Sequence, residues 1–329
     1  MRVLVDARLA TRGLGISTTV DALCEALVGV DGIDVTRWQG IGGGGRRAAL
    51  SALSRSGPFD LSPRLEPRTH PFDVIHYMSN LVSVRPPAAS VLTVHDVMFI
   101  EGNRGRDRAV NRMFTAGAPR AGALVCNSER SRYHLGHIDR RLADRALVIP
   151  WGRGPYKVST EPRLHLLAFG GRHARKRTSL LGDVYGAYRR RVCDPLPLIV
   201  VARAGLDHAA EATLRVHGAT ILSHAGDAEV SHLLARARAL IVTSRQEGFG
   251  LPVVEAGETG TPVVLGQDAD IPSEVLGRHC IRTAGPSLAA WVAGLGEAID
   301  LGPVHNALDL PTWDHVARQY RCVYQRVAR

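Results

Sequence analysis

Strand patterns and helix patterns alternate along almost the whole of this chain. Short β-branched runs such as RVLVDA, SVLTVHD and LHLLAFGG precede longer segments with apolar residues at helical spacing, such as GISTTVDALCEALV and SLLGDVYGAYRR. This alternation predicts the α/β class, in which helices cover mostly parallel sheets. In open sheets of this class, ligands bind at the carboxyl ends of the strands.

The alternation runs in two series with a Gly/Pro-containing joint near residues 152–162. A length of 329 residues suits two domains of about 150 residues each. We predict one domain over residues 1–155 and a second over 156–312, both Rossmann-like and facing a central cleft. Residues 40–71 do not fit the alternation and predict a long, loose excursion around one short helix.

Composition and cysteine spacing point to an intracellular protein. No run approaches the ~18 apolar residues of a membrane span, and MRVLVDAR enters a strand at once, which leaves no room for a signal peptide. The five cysteines stand far apart and have no metal-binding spacing. We therefore expect reduced thiols, no structural zinc and a cytoplasmic location.

The positive charge is concentrated in the first half of the chain. Residues 1–160 carry 22 basic side chains against 14 acidic ones, and the remainder carries 19 against 17. Such a surface could contact the inner face of a membrane, nucleic acid or a phosphorylated acceptor. Its arginines are interleaved with acids, a pattern more typical of a solvated face, and no nucleic-acid motif is present. We expect no nucleic-acid partner and leave peripheral membrane contact open.

The stretch SRQEGFGLPVVEAGETGTPVV, residues 244–264, predicts a turn that leads into a short helix. Gly248 and Gly250 allow unusual backbone angles, and Pro252 suits the first turn of a helix. Unpaired amides from about Gly250 to Val254 would then point out of the helix start, together with the positive end of its dipole. This is an anion site suited to phosphate.

Two glutamates border that anion site. We place Glu247 in the turn and Glu255 in the first helical turn, where their carboxylates could accept hydrogen bonds from sugar hydroxyls. A site for both a phosphate and hydroxyls suits a nucleotide sugar. Alternatively, Glu255 only complements the helix dipole and Glu247 is solvated.

Several motifs in order resemble retaining glycosyltransferases of the GT-B fold, specifically glycosyltransferase family 4 of group 1. EGFGLPVVEAGETGTPVV resembles the family's E-x7-E signature, and FGGRHARKRTSLL resembles its donor-phosphate loop. TRGLGIST, TVHD and VCNSERSR are similar to motifs of its N-terminal domain. PTWDHVARQY resembles its C-terminal helix, so the resemblance implies that a helix at about 313–329 crosses back onto the first domain.

The resemblance implies roles for the donor side of the site. Glu247 would contact the donor sugar, Glu255 the ribose hydroxyls, and the amides of Gly250 and Leu251 the diphosphate or sugar. Arg175 and Lys176 would neutralise the charge that grows on the leaving nucleoside diphosphate. A solvated basic patch is the alternative for those two residues.

On the other side, the resemblance places His95 beside the donor sugar and Gly13 and Gly15 in a loop near the diphosphate. A structural histidine and a plain strand-to-helix turn are the alternatives. The chain departs from the family at Ile16 and Ser17, in place of Arg-Tyr, and at Trp151, in place of asparagine. These departures make the acceptor less predictable.

A D-x-D motif binds metal in the other major glycosyltransferase fold, but here Asp268 and Asp270 lie after E-x7-E, in a donor-side loop. We expect them to be structural or to contact the base, and we predict no catalytic metal and no cofactor besides the nucleotide-sugar substrate. The expected activity is transfer of a sugar, with retention, to a small-molecule or glycan acceptor. Two alternatives stay open: another GT-B enzyme such as a sugar-nucleotide epimerase, and a non-catalytic protein that binds a sugar nucleotide or a polyanion.

Overall fold

The computed structural model describes residues 1–7, 15–38, 50–52, 71–80, 82–97, 105–154, 156, 158–305 and 307–329. It divides the chain into two compact units. The first unit comprises Met1–Gly152 and Leu310–Arg329, and the second comprises Arg153–Asp309. Gly13 and most of the excursion at 40–71 lie outside the described residues.

The first unit is built on a seven-stranded sheet in the order β3-β2-β1-β4-β5-β6-β7. Its strands are β1 Arg2–Asp6, β2 Asp34–Trp38, β3 Leu50–Ala52, β4 Val74–Tyr77, β5 Ser90–Val94, β6 Ala123–Cys126 and β7 Ala146–Val148. Neighbouring strands pair in parallel except β2 with β3, which are antiparallel. Its helices are α1 Gly15–Val28, α2 Gly105–Gly117, α3 Glu129–Ile138, α4 Arg140–Arg145 and α10 Trp313–Val327.

The second unit is built on a six-stranded sheet in the order β10-β9-β8-β11-β12-β13, with every pair parallel. Its strands are β8 His165–Phe169, β9 Leu198–Val201, β10 Thr220–Leu222, β11 Ala237–Val242, β12 Val263–Leu265 and β13 Cys280–Arg282. Its helices are α5 Thr178–Arg191, α6 His208–Val216, α7 Asp227–Ala235, α8 Leu251–Glu258 and α9 Leu288–Leu301.

The predicted fold class is confirmed, because each unit is a mostly parallel sheet with covering helices, in Rossmann-like order. In each sheet the order in which the chain adds strands reverses at one point, between β1 and β4 in the first unit and between β8 and β11 in the second. We call this point the sheet reversal. Ligands of open α/β sheets bind beside such a reversal, outside the carboxyl ends of its strands. The predicted central cleft concerns the placement of the two units and stays a prediction.

The central strands are buried on both faces, as parallel sheets require. All five residues of β5 are buried, as are all four of β4. The core of the second unit includes Leu166, Leu198, Ile241 and Trp291, which come from β8, β9, β11 and α9. The near-continuous apolar runs therefore form the central strands, and the loops that follow these strands leave the sheet at its carboxyl edge.

The excursion at residues 40–71 differs from its prediction in the part that the structure describes. Leu50–Ala52 form β3, which pairs antiparallel with β2 through the register Trp38↔Leu50. Three residues are too few to show a period-2 pattern, so strand pairing rather than local sequence sets their conformation. The predicted short helix otherwise falls on residues outside the described ranges.

The C-terminal helix α10 belongs to the first unit and packs against α1. Its apolar positions Val316, Tyr320 and Tyr324 have no exposed surface, and they join a core cluster that includes Val3 and Val5 of β1. Thr312 caps the helix by accepting a hydrogen bond from the His315 amide.

A buried chain of hydrogen bonds joins α10 to the sheet of the first unit. His76 Nδ1 lies 2.7 Å from the Tyr324 hydroxyl, and His76 Nε2 lies 2.7 Å from Thr93 Oγ1. Thr93 Oγ1 in turn lies 3.0 Å from the Tyr320 hydroxyl. Burial lowers the pKa of His76 to about 3, so its ring is neutral and offers one donor and one acceptor. The chain satisfies four polar side chains that have no access to water.

We expect Tyr324→Phe to lower the free energy of unfolding by about 1–3 kcal/mol, because it leaves a buried ring nitrogen of His76 without a partner. Urea denaturation would measure the change. Tyr133→Phe is the matched control, since that ring is 55% exposed and its loss of a hydroxyl should change stability by less than about 0.5 kcal/mol. Equal denaturation midpoints for the two variants would contradict a stabilising role of these buried hydrogen bonds.

Candidate functional site

The second unit brings three of the predicted site residues together at its sheet reversal. β8 and β11 are neighbours, so the loops that follow them leave the same edge of the sheet side by side. The loop after β8 carries Arg175 and Lys176, and the loop after β11 carries Glu247. These residues are 71 and 72 positions apart in sequence, and only the strand pairing places them in contact.

Backbone hydrogen bonds fix the two loops to each other. Ala174–Lys176 form a 3-10 turn, and the Arg175 carbonyl accepts from the Arg245 amide at 2.8 Å. The Lys176 carbonyl accepts from the Thr243 hydroxyl at 2.8 Å. The turn therefore presents its two cationic side chains from a held backbone rather than from a free loop.

Glu247 is ion-paired with both cations. Its Oε1 lies 2.6 Å from Lys176 Nζ, and its Oε2 lies 3.1 Å from an Arg175 guanidinium nitrogen. Burial opposes its ionisation, but Lys176 and Arg175 outweigh burial and hold the pKa of Glu247 below its usual value. The carboxylate therefore stays charged, and the group carries a net positive charge that suits an anionic ligand.

The start of α8 differs in one respect from the prediction. Gly250 adopts φ 84° and ψ 41°, which favours glycine, and Pro252 lies in the first turn as expected. However, the amides of Val253 and Val254 donate to the Gly250 carbonyl at 2.8 and 3.2 Å. Among the described residues, only the amides of Gly250 and Leu251 remain for a ligand at this helix start, because Pro252 has no N–H.

Glu255 lies on α8 and accepts a hydrogen bond of 3.1 Å from the Tyr156 hydroxyl. Burial raises its pKa to about 7, against the opposing effects of that hydrogen bond and of Arg203. One turn later, Glu258 accepts from the Gly154 amide at 2.5 Å, and burial raises its pKa to about 8. The sequence did not single out Tyr156 or Glu258; a glutamate three positions after Glu255, on the same helix face, was the available signal.

The D-x-D motif joins the two loops. Asp268 is ion-paired with Arg177, directly after Lys176, through both of its carboxylate oxygens. Asp270 pairs through its backbone, since its carbonyl accepts from the Glu247 amide at 3.1 Å and its amide donates to the Arg245 carbonyl at 2.7 Å. Both aspartates therefore support the loop that carries Glu247.

Arg177 has an unusual backbone for its residue type. Its φ of 47° and ψ of 44° place it in the left-handed region, and no other non-glycine residue among those described has a positive φ. It lies between the 3-10 turn and α5, where the chain changes direction. A residue with a Cβ is strained in this conformation, which glycine adopts without that cost.

Arg172 points away from this group. Its Nε lies 3.3 Å from the Leu206 carbonyl, so in this structure the guanidinium faces the loop after β9.

His95 lies in the first unit, directly after β5. Its Nε2 donates to the Met78 carbonyl at 2.7 Å, and its own carbonyl accepts from the Ser131 hydroxyl at 2.9 Å. Nδ1 is buried and has no hydrogen-bond partner among the described residues. Burial lowers the pKa of this ring, so Nδ1 is an unprotonated acceptor.

Trp151 is the neighbour of His95 that sequence reasoning missed. Its ring centroid lies 5.1 Å from that of His95, and its side chain is buried. The signal was the departure from the asparagine that the resembled family has at this position. Of the glycine loop, Gly13 lies outside the described residues and Gly15 is the first residue of α1.

The described part of the chain contains neither a candidate metal cluster nor a candidate membrane-spanning helix. No cluster of three or more His, Cys, Asp or Glu side chains there could hold a metal ion. No helix there combines the length and the apolar character that crossing a membrane requires.

Residues 198–295, which include Glu247, Gly250 and Glu255, match the family described as "Glycosyl transferases group 1". This segment is similar to the group 1 glycosyltransferases over 98 of the 329 residues. The resemblance stated from the motifs is confirmed at this level, and membership of family 4 is consistent with it but stays a prediction.

Two curated relatives are mannosyltransferases by name. "MMP alpha-(1->4)-mannosyltransferase" of Mycolicibacterium hassiacum is 35% identical over 123 residues, which cover 34% of this chain and 29% of the relative. "O-antigen chain mannosyltransferase B" of Escherichia coli is 27% identical over 224 residues, which cover 66% of this chain and 54% of the relative. The chain thus spans about half or less of the length of these relatives.

The likeness to one solved structure extends over nearly the whole chain. Sucrose-phosphate synthase from Thermosynechococcus elongatus superposes with a TM-score of 0.65 at 15% identity, over 99% of this chain and 99% of that one. At this identity the likeness shows the fold, which is GT-B.

We expect Arg177→Gly to be more stable than Arg177→Ala by about 1 kcal/mol. Both variants lose the ion pair with Asp268, but only alanine keeps a Cβ in the left-handed region. Asp183, exposed in the middle of α5, is the matched control: there Ala should exceed Gly by about 0.5–1 kcal/mol. Chemical denaturation of the four variants measures both differences, and the same order at both positions would contradict the assignment.

Proposed function

We propose that the protein is a retaining glycosyltransferase that transfers a sugar from a nucleoside diphosphate to an acceptor hydroxyl. The observation that carries the proposal is the cluster of Arg175, Lys176 and Glu247 at the β8/β11 reversal, next to and within the segment that matches group 1. A net positive group beside the amides of a helix start suits a diphosphate.

The donor would bind along this edge of the second unit. Its diphosphate would take the free hydrogen-bonding positions of Arg175 and Lys176, together with the amides of Gly250 and Leu251. Glu255 would accept from the ribose hydroxyls, and Glu247, already held by two cations, would accept from a hydroxyl of the sugar. Each contact uses a group whose geometry the fold fixes without ligand, which reduces the cost of ordering on binding.

The reaction needs stabilisation of the leaving group more than it needs a nucleophile. The bond between the anomeric carbon and the diphosphate oxygen breaks, and the negative charge that develops on that oxygen lies beside Lys176 and Arg175. The acceptor oxygen forms the new bond to the same face of the anomeric carbon, and its proton passes to the leaving diphosphate. This route requires no covalent sugar–protein intermediate.

His95 would supply an acceptor for a hydroxyl of the sugar. Since its Nε2 proton is committed to the Met78 carbonyl, the buried Nδ1 can accept a hydrogen bond from a sugar hydroxyl. A buried acceptor without a partner costs about 1–3 kcal/mol, which a bound hydroxyl would recover.

The names of the two curated relatives make mannose the first donor sugar to test. For the acceptor we propose a glycan, a lipid-linked sugar or a specialised metabolite. A cytoplasmic location, with peripheral contact of the basic first half with the membrane, also remains a proposal.

Thermal denaturation with UDP, GDP, ADP and TDP tests the donor class. A nucleotide present at ~100 Kd should add about 2.7 kcal/mol to the free energy of unfolding. The mannose derivative of the stabilising nucleotide is then incubated with candidate acceptors, and the anomeric configuration of the product is read by NMR. Stabilisation by none of the four would count against the proposal, and an inverted product would remove retention from it.

We expect Lys176→Ala to lower kcat by about 10²–10³-fold, the scale for removal of one group that stabilises developing charge. Steady-state kinetics at saturating donor measures it. Arg191→Ala, an exposed basic residue at the end of α5, is the control and should retain full activity. An unchanged kcat in a well-folded Lys176→Ala protein would exclude this residue from the reaction.

Activity should survive EDTA, because the proposal assigns the stabilising charge to Arg175 and Lys176, while Asp268 is paired with Arg177. Initial rates before and after exhaustive chelation measure this. Loss of activity that manganese or magnesium restores would instead assign a metal to the donor diphosphate.

A further inference from the structure

A tyrosine outside every recognised motif contacts the helix that carries Glu255. The Tyr156 hydroxyl donates to Glu255 Oε1 at 3.1 Å, across 99 positions of sequence. Both residues belong to the second unit, and Tyr156 lies in the segment that precedes β8. A second hydrogen bond, from the Gly154 amide to Glu258 Oε1 at 2.5 Å, attaches the same segment to the next turn of α8.

The segment is shaped to bring this tyrosine to α8. A Cβ at position 154 would lie 2.7 Å from Tyr156 ring carbons and 3.1 Å from Glu258 Oε2, so a side chain there would displace the tyrosine ring. Glycine at 154 and the hydrogen bond to Glu258 therefore both help to fix the position of the Tyr156 hydroxyl.

Other charged groups around Glu255 come from separate elements. Arg203, in the loop after β9, favours its ionised form, and Asp227, the first residue of α7, opposes it. These two are ion-paired with each other at 2.7 Å. Glu258 lies one turn further along α8, and Arg153 acts on Glu258 from the segment before β8.

We propose that Tyr156 is a positioning residue for Glu255: its hydroxyl holds the carboxylate in the orientation that accepts the ribose hydroxyls of the donor. The proposal rests on the proposed function, which makes Glu255 a ribose ligand. With Oε1 held by the phenol, Oε2 and the remaining lone pair of Oε1 are left for hydroxyl donors. Ribose recognition thus depends on a residue that does not touch the nucleotide itself.

A dependence on pH follows from this geometry. The ionised Glu255 accepts hydrogen bonds more strongly than the protonated form, and burial raises its pKa to about 7, so we expect nucleotide affinity to rise with pH through neutrality. The Tyr156 hydrogen bond favours the ionised form, so its removal raises this pKa. The midpoint of the affinity profile therefore shifts to higher pH in Tyr156→Phe, and less of the carboxyl is ionised at pH 7.

The test compares the binding of a nucleotide and of its deoxy forms to the unmodified protein and to Tyr156→Phe. Isothermal titration measures the Kd of the ribonucleoside diphosphate that binds best among UDP, GDP and ADP, and of its 2′-deoxy and 3′-deoxy forms, between pH 5.5 and 8.5. Tyr156→Phe, which keeps the ring, should weaken the ribonucleotide about 3–10-fold at pH 7, the scale for one hydrogen bond. At least one deoxy form should weaken less than two-fold, and the affinity midpoint should move upward.

Kinetics separate positioning from a general structural effect. Tyr156→Phe should raise the KM of the donor in proportion to Kd and leave kcat at saturating donor within two-fold. Tyr133→Phe, on the exposed face of α3, should change neither quantity. Equal weakening of ribo and both deoxy forms, or an unshifted midpoint, would overturn the role of Tyr156.

Failure of the proposed function gives a different pattern. If no nucleoside diphosphate binds the unmodified protein, the donor assignment fails, and the role of Tyr156 with it. If the nucleotide binds and Glu255→Gln weakens it while Tyr156→Phe does not, the donor site stands and only the positioning role is lost.

Discussion

The charged cluster of Arg175, Lys176 and Glu247 in the second unit depends on one backbone interaction, the parallel pairing of β8 with β11. The register Leu167↔Leu240 brings the ends of these strands to one edge, and the loops beyond them then exchange further hydrogen bonds, from Thr243 to the Lys176 carbonyl and from the Arg245 amide to the Arg175 carbonyl. The pairing is itself held by apolar burial on both faces of the sheet. The charged cluster is therefore a consequence of strand order, and no local property of either loop would assemble it.

Electrostatics then sets what the assembled loops can do. Moving Glu247 out of water costs free energy that two cations offset, and the same contacts hold Arg175 and Lys176 in fixed directions. Groups held in this way need little reorganisation when charge develops on a ligand, which is the main source of catalysis by charge stabilisation. The loop after β12 supports both, since its Asp268 pairs with Arg177 and the backbone of its Asp270 bonds the Glu247 amide.

The sequence predicted the parts of the fold that depend on hydrophobic patterning and on Gly and Pro residues at the ends of strands and helices. Short β-branched apolar runs located most strands, and Gly250 with Pro252 located the start of α8. It could not predict β3, whose three residues take their conformation from the neighbouring strand, and the predictions left α9 unassigned. Nor could it show the contacts between distant segments: the pairing of Glu247 with Lys176, the Arg177–Asp268 pair and the Tyr156–Glu255 hydrogen bond all join residues more than 70 positions apart. Local sequence carries no information about such contacts until the strand order is known.

The two glutamates of the E-x7-E stretch show how environment separates identical side chains. Burial opposes the ionisation of both carboxyls, yet the pKa of Glu247 is lowered and that of Glu255 is raised. Glu247 meets two cations and remains a carboxylate with its orientation fixed, whereas Glu255 meets one phenol and an arginine that is already paired with Asp227, so its ionisation is balanced near neutrality. When two carboxyls lie eight positions apart and their pKa values move in opposite directions, different roles follow from their neighbours alone. The turn with its Gly250 and the first two turns of α8 thus place one carboxyl among charges and the other among hydrogen-bonding groups, and the proposed contacts to a diphosphate and a ribose depend on that difference.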